Sequence, residues 1–93
     1  MIKKLARRYI VRGRVQGVGF RYFVEHTGTA LGLSGWTRNL DDGTVEVYAI
    51  GNDKQLSELE GALWKGPRMS DVRGVAASED VVDSSVRSFR IRS

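Results

Sequence analysis

Two glycines, Gly17 and Gly19, stand inside the run Arg14-Val15-Gln16-Gly17-Val18-Gly19-Phe20-Arg21. Strand-like alternation precedes the run from Tyr9 to Val15, and a helix-like pattern begins at Arg21, so the glycines fall where a strand must turn into a helix. Glycine takes positive φ without steric penalty, which lets successive N–H groups from Gln16 through Gly17, Val18, Gly19 and Phe20 to Arg21 converge on one point. Such a concavity favours an anion. The helix beyond it adds orphan N–H groups and the positive end of its dipole, and Arg21 adds a permanently charged, forked donor. The expected chemistry is the binding of a phosphoryl group in a backbone cradle with one guanidinium at its lip.

Two better-known glycine loops do not fit. No Lys followed by Ser or Thr closes the glycine pair, so this is not the nucleotide loop Gly-x-x-x-x-Gly-Lys-Ser/Thr. The dinucleotide fingerprint Gly-x-Gly-x-x-Gly fails because Tyr22 occupies the third glycine position. A second candidate is Asn39, at the end of a short strand just before a turn. Its carboxamide both donates and accepts, which suits it to orient one water, although a strand-end asparagine also caps turns. His26, the only histidine, projects from the flank of the first helix and reads as a surface residue, while Asp41 and Asp42 read as turn formers.

The elements that must position these groups emerge from periodicity and turn chemistry. A strand from Tyr9 to Val15 places Tyr9, Val11, Gly13 and Val15 on one face, opposite Arg8, Ile10, Arg12 and Arg14. A helix from about Arg21 to Leu33 carries the stripe Phe23, Val24, Thr27, Ala30 and Leu31, with Gly32 as its stop and Gly28 as an unexplained interior glycine. Ser34 to Asn39 and Thr44 to Ile50 form a hairpin about Asp42-Gly43, with Val45, Val47 and Ala49 facing one way and Glu46 and Tyr48 the other. Asn52 and Gln55 have capping-box spacing for a second helix, whose buried stripe is Leu56, Leu59 and Leu63 and which Gly66-Pro67 ends. Strands are expected at Val72 to Ser78 and at Phe89 to Ile91, with Glu79 to Ser85 a polar loop. Strand, helix, strand, strand, helix, strand predicts an α+β, ferredoxin-like two-layer sandwich, βαββαβ, with an antiparallel sheet, both helices on one face and a short extra strand at the C-terminus.

The totals bound the function. The 93 residues are read as a single domain, 1–93, of ordinary globular composition, 41% hydrophobic and 28% charged. The absence of cysteine excludes disulfides, thiolate metal sites and a cysteine nucleophile. Met1 to Arg8 carries the charge of a secretory leader's start, but Arg12 and Arg14 interrupt the apolar residues beyond it, and no segment reaches the roughly 18 apolar residues of a membrane span. A cytoplasmic protein without a membrane association is expected. Of the net charge of +4, the first 21 residues supply Lys3, Lys4, Arg7, Arg8, Arg12, Arg14 and Arg21 and no acid, so basic charge is expected around the cradle. Taken singly, Lys3, Lys4, Arg7 and Arg8 read as a solvated face and tail.

Val11 to Arg21, read as Val-Arg-Gly-Arg-Val-Gln-Gly-Val-Gly-Phe-Arg, resembles the first signature of the acylphosphatase family. Gly35-Trp36-Thr37-Arg38-Asn39, with Gly43, Val45 and Gly51 at their spacings, is similar to the second, and Gly66-Pro67 and Phe89-Arg90-Ile91-Arg92 extend the likeness over nearly the whole chain. Thr37 departs from the usual small apolar residue, and Gly28 is unusual in the first helix. The resemblance implies hydrolysis of the carboxyl–phosphate bond of small acyl phosphates without metal or other cofactor. Arg21 and the amides of residues 16–21 would hold the phosphoryl group, and Asn39 would position the attacking water. The partner implied is a small-molecule acyl phosphate; no nucleic acid and no membrane are expected as partners, and the protein is expected to be a monomer. Two other readings share the fold. One is a binding module for single-stranded nucleic acid, for which Tyr9 and Tyr48 are the only candidate stacking residues. The other is a phosphate sensor without turnover.

Overall fold

The computed structural model describes residues 3–93, so the first two positions of the charged start Met1 to Arg8 lie outside the described residues. The chain runs β1 (Leu5–Arg14), α1 (Phe20–Ala30), β2 (Ser34–Asn39), β3 (Val45–Gly51), α2 (Asp53–Lys65), β4 (Asp71–Asp80) and β5 (Phe89–Ile91). The strands form one sheet in the order β4-β1-β3-β2-β5. The four longer strands pair antiparallel, and β5 joins β2 in parallel, which makes the sheet mixed. Each crossover therefore skips one strand: β1 and β2 flank β3, with α1 carrying the chain between them.

Alternation decides which face the helices cover. Tyr9 and Val11 of β1 stand opposite Val47 and Val45 of β3, and all four are buried with Val24 of α1 and Leu56, Leu59 and Leu63 of α2. Both helices thus share one face and one core. The Tyr9 hydroxyl, buried in it, donates to the Leu56 carbonyl at 3.1 Å and so leaves no unpaired polar atom there. The Asn52–Gln55 capping box forms in both directions, each bond 2.8 Å long.

Helix α1 is shorter and differently faced than its periodicity implies. It opens at Phe20 and closes in a paired C-terminal turn, Leu33 N–H to Gly28 carbonyl and Gly32 N–H to Thr29 carbonyl, with Gly32 at φ 77°. Its deepest residues are Phe20, Val24 and Gly28, one turn apart, while Ala30 faces solvent. Gly28 is there because the Phe89 ring of β5 packs closely against it; a Cβ at that position would sit 2.5 Å from Phe89 Cδ2. Alanine normally stabilises a helix interior by about 1 kcal/mol over glycine. Displacing a packed ring costs roughly 1–3 kcal/mol, so Gly28→Ala is expected to destabilise on balance. At Gly61 in α2 the added Cβ meets nothing within 4 Å, and Gly61→Ala is expected to stabilise by about 0.5–1 kcal/mol. Urea melts of the two variants, which should move in opposite directions, check both.

Strand β1 begins at Leu5, ahead of the expected Tyr9, because its basic residues are neutralised by neighbours. Arg7 pairs with Asp53 at 2.6 Å and Glu79 at 3.7 Å, and Arg8 with Asp80 at 3.1 Å and Glu46 at 3.5 Å. Glu79 and Asp80 belong to β4, which runs on to Asp80, so the expected polar loop starts two residues later. The charge of Arg7 and Arg8 is therefore consumed at the far end of β1 from the glycine turn, and it does not gather around the cradle. The second sheet face is not bare either. Ala6, Tyr48 and Ile50 are buried under residues 81–88, with Val86 packed on them and the Tyr48 hydroxyl bonded to Val81 and Asp83. Tyr9 is fully buried and Tyr48 only 5% exposed, so neither offers a ring for a base to stack on. Thr37 is also buried, its hydroxyl satisfied by the Glu46 carbonyl at 2.9 Å, which accounts for a polar residue at that position.

Candidate active site

Past a bulge at Arg12/Gly13, β1 leaves the sheet into four bent residues, 16–19, and the chain enters α1 with Gly19 as its N-terminal cap. Gly17 and Gly19 adopt φ 73° and 78°, a conformation that costs residues with a side chain roughly 1–2 kcal/mol. Their added Cβ atoms would meet nothing within 4 Å, so backbone conformation and not crowding selects glycine here. Helix α1 has no side-chain cap and no acid in its first turn. Among the described residues, no acceptor takes the N–H groups of Gly17, Val18, Gly19, Phe20, Arg21 or Tyr22. An uncapped helix start beside two left-handed glycines is an anion-favouring arrangement.

This turn forms one wall of a cavity of about 220 Å³ lined by Val15, Gly17, Gly19, Phe20, Arg21, Tyr22 and Asn39. Arg21 and Asn39, which lie on different elements, are thus brought to the same space. The reason is topological: β2 ends at Asn39, and β2 and β1 run the same way on either side of β3, so their ends and the start of α1 meet at one edge. The Arg21 guanidinium makes no ion pair among the described residues; its Nη1 donates to the Arg92 carbonyl at 3.4 Å. The Arg92 N–H in turn donates to the Thr37 carbonyl at 2.8 Å, which ties the end of the chain to β2. The Asn39 carboxamide has no hydrogen-bond partner among the described residues, and none of their carboxylates lines the cavity.

Gln16 and Val18, named with the cradle from sequence, do not line this cavity. Val18 is half-buried against the core. The Gln16 carboxamide is committed elsewhere: its Nε2 donates to the carbonyls of Leu40 and Thr44, both at 2.8 Å. Those two carbonyls bracket the β2–β3 turn, so Gln16 clamps the glycine turn to the hairpin that carries Asn39. Phe20 lines the cavity but is 2% exposed and belongs mainly to the core. Val15 and Tyr22 complete the walls and had no sequence signal beyond adjacency to the motif.

The remaining titratable candidates stand apart. His26 is exposed on α1 and does not line the cavity. Asp42 accepts from the Thr44 N–H at 3.0 Å and from its hydroxyl at 2.6 Å, and these bonds hold its carboxyl below the usual carboxylate range, as befits a turn former. No group of three or more His, Cys, Asp or Glu is arranged to hold a metal ion among the described residues. A larger cavity, about 520 Å³, lies at the opposite end of the sheet between Lys4, Ser34, Ile50 and Arg87 and brings none of the sequence-derived site residues together. Among the described residues, no helix is long and apolar enough to cross a membrane.

The geometry can be set beside known proteins. The acylphosphatase family model matches residues 7–91. An acylphosphatase of Solibacter usitatus is 59% identical over 87 residues, 94% of this chain and 90% of its own length. Among solved structures, an acylphosphatase from Bacillus subtilis superposes with a TM-score of 0.91 at 39% identity, covering 96% of this chain and 99% of that one. One from Coxiella burnetii gives the same TM-score at 37% identity, covering 96% and 93%. With the family model spanning nearly the whole sheet and both motifs, and relatives alike in sequence and fold over that span, the chain belongs to the acylphosphatase family.

Proposed function

We propose that the protein hydrolyses the carboxyl–phosphate bond of small acyl phosphates, yielding carboxylate and inorganic phosphate, with Arg21 and Asn39 as its catalytic residues. Residues 1–93 act as one acylphosphatase domain, working as a cytoplasmic monomer. The observation that carries the residue assignment is that Arg21, with no ion pair, and Asn39, whose carboxamide makes no hydrogen bond among the described residues, line the same cavity as Gly17 and Gly19 of the glycine turn.

The phosphoryl oxygens sit against the N–H groups that succeed Gly17 and against the Arg21 guanidinium. These donors are fixed before substrate arrives and face the equatorial charge that grows in the transition state. The Asn39 carboxamide holds a water in line with the acyl oxygen. The water oxygen bonds to phosphorus as the phosphorus–acyl oxygen bond breaks, and that electron pair leaves on the carboxylate. The leaving group is a weak base with a pKa near ~4, so it needs no general acid. One water proton passes to a phosphoryl oxygen of the substrate, because no side-chain base among the described residues lines the cavity. His26→Ala is accordingly expected to leave the pH–rate profile unchanged, and a limb of that profile that vanishes in the variant would refute the proton route.

The deciding experiment is phosphate release from acetyl phosphate and benzoyl phosphate by the purified protein, with and without chelator. Turnover that survives chelation supports the reading. No turnover of either substrate overturns it and leaves the phosphate sensor. The nucleic-acid module has less support, since the rings it requires are covered.

A further inference from the structure

The C-terminal segment gathers positive charge that neither the sheet nor the catalytic cavity uses. Between β2, β5 and the residues leading into β5 lies a groove of about 340 Å³, with Trp36, Ser85, Arg87, Ser88, Arg90 and Arg92 among its walls. It shares no residue with the cavity of the glycine turn, and no carboxylate lines it. Four arginines elsewhere, Arg7, Arg8, Arg38 and Arg73, each have a carboxylate at 2.6–3.1 Å. Arg87, Arg90 and Arg92 have no ion pair among the described residues. Asp83, on the segment leading into β5, is committed to the hydroxyl and N–H of Ser85, at 2.7 and 3.0 Å. Those bonds first, and the charge of Arg92 last, hold its carboxyl below the usual range.

We infer that this groove is a second anion site, separate from the catalytic cavity, and that it takes a linear oligophosphate, a chain of two or more phosphates. Three guanidiniums lining one groove repel one another. An anion of several charges relieves that repulsion and accepts hydrogen bonds from their forked N–H groups. The groove is also prepared for it: Arg90 Nε donates to the Ser88 hydroxyl at 3.0 Å, which steadies the guanidinium and leaves the hydroxyl proton free for a ligand oxygen. One phosphate does not fill the space, which exceeds the 220 Å³ of the glycine-turn cavity and falls within the roughly 300–1,000 Å³ of small-molecule sites. The Trp36 ring is stacked on Tyr48 with centroids 5.6 Å apart, and the Arg92 guanidinium lies over it at 4.6 Å. With those neighbours already against the ring, charge and not base stacking recognises the ligand. Binding here needs none of the catalytic groups.

Trp36 reports occupancy. The chain has two tryptophans, so Trp64→Phe leaves Trp36 as the only indole, and its fluorescence is followed as inorganic triphosphate is added in the presence of excess orthophosphate, which fills the glycine turn. A saturable change is expected. In the same background, Arg87→Ala with Arg90→Ala should weaken the apparent affinity about tenfold or more, and Arg87→Lys with Arg90→Lys, which keeps charge and loses the fork, should fall between. Arg92 is left in place because it lies on the reporting ring. Lys54→Ala with Lys65→Ala removes the same charge from α2 and should bind as the parent does. No saturable change, or equal weakening in the lysine pair, overturns the site. Adenosine triphosphate should bind about as tightly as inorganic triphosphate; a nucleotide preference above about tenfold overturns recognition by charge alone. Arg87 and Arg90 are exposed, so their truncation is not expected to unfold the protein, and a urea melt of each variant checks this.

Discussion

Arg21→Ala is expected to reduce kcat/KM for acetyl phosphate by about 10³-fold or more, close to 4 kcal/mol of transition-state stabilisation. Among the described residues, Arg21 is the only charged side chain lining the cavity, and no carboxylate competes for it. The backbone amides remain in the variant, so inorganic phosphate should still bind, but more weakly. What disappears is the forked charge that meets the oxygens as negative charge spreads over them. Arg21→Lys returns the charge without the fork and should recover only part of the loss. The variant should fold normally, because the guanidinium contributes one long hydrogen bond to the Arg92 carbonyl and no ion pair among the described residues. Steady-state kinetics with phosphate as competitive inhibitor, beside a urea melt, make the measurement. Parental turnover in Arg21→Ala would remove Arg21 from the site.

Asn39→Ala is expected to lower kcat by about 10²–10³-fold, the range found when one preorganised polar group at a reacting centre is lost. Its signature differs from that of Arg21. If the carboxamide orients water and does not grip phosphate, the inhibition constant for phosphate should stay close to the parent's. A rise in that constant matching the fall in kcat would make Asn39 a phosphate ligand. The carboxamide is free to act because neighbours carry the structural load: the turn after β2 is closed by the Leu40 N–H to Thr44 carbonyl bond, by Asp42 on Thr44 and by the Gln16 clamp. Truncating Asn39 therefore removes no hydrogen bond of the fold among the described residues.

The family resemblance pairs Arg21 with Asn39, but only the fold explains how they meet. The strand order β1-β3-β2 carries the ends of the two parallel strands to one edge, and the Gln16 carboxamide locks glycine turn to hairpin. Gln16 itself shows the limit of reading types alone: an amide beside a phosphate loop suggests an anion ligand, and its actual acceptors are two carbonyls more than 20 positions away. Gly28 is unfavourable by helix propensity and makes sense only when Phe89, from the last strand, is laid against it.

Local chemistry was sufficient for the glycine turn, the Asn52–Gln55 cap, the Asp42-Gly43 hairpin and the leucine stripe of α2, since each depends on residues within a few positions of one another. The basic start of the chain was not legible in that way. Arg7 and Arg8 read as solvated charge until β4, α2 and β3 bring Glu79, Asp80, Asp53 and Glu46 beside them. Tyr48 likewise reads as a candidate stacking residue until Val81, Asp83 and Val86 are brought against it. Turn geometry and periodicity are set by backbone sterics that travel with the sequence, whereas charge partners, ring contacts and the cover on the second face are chosen by which distant surfaces gain most from being buried together.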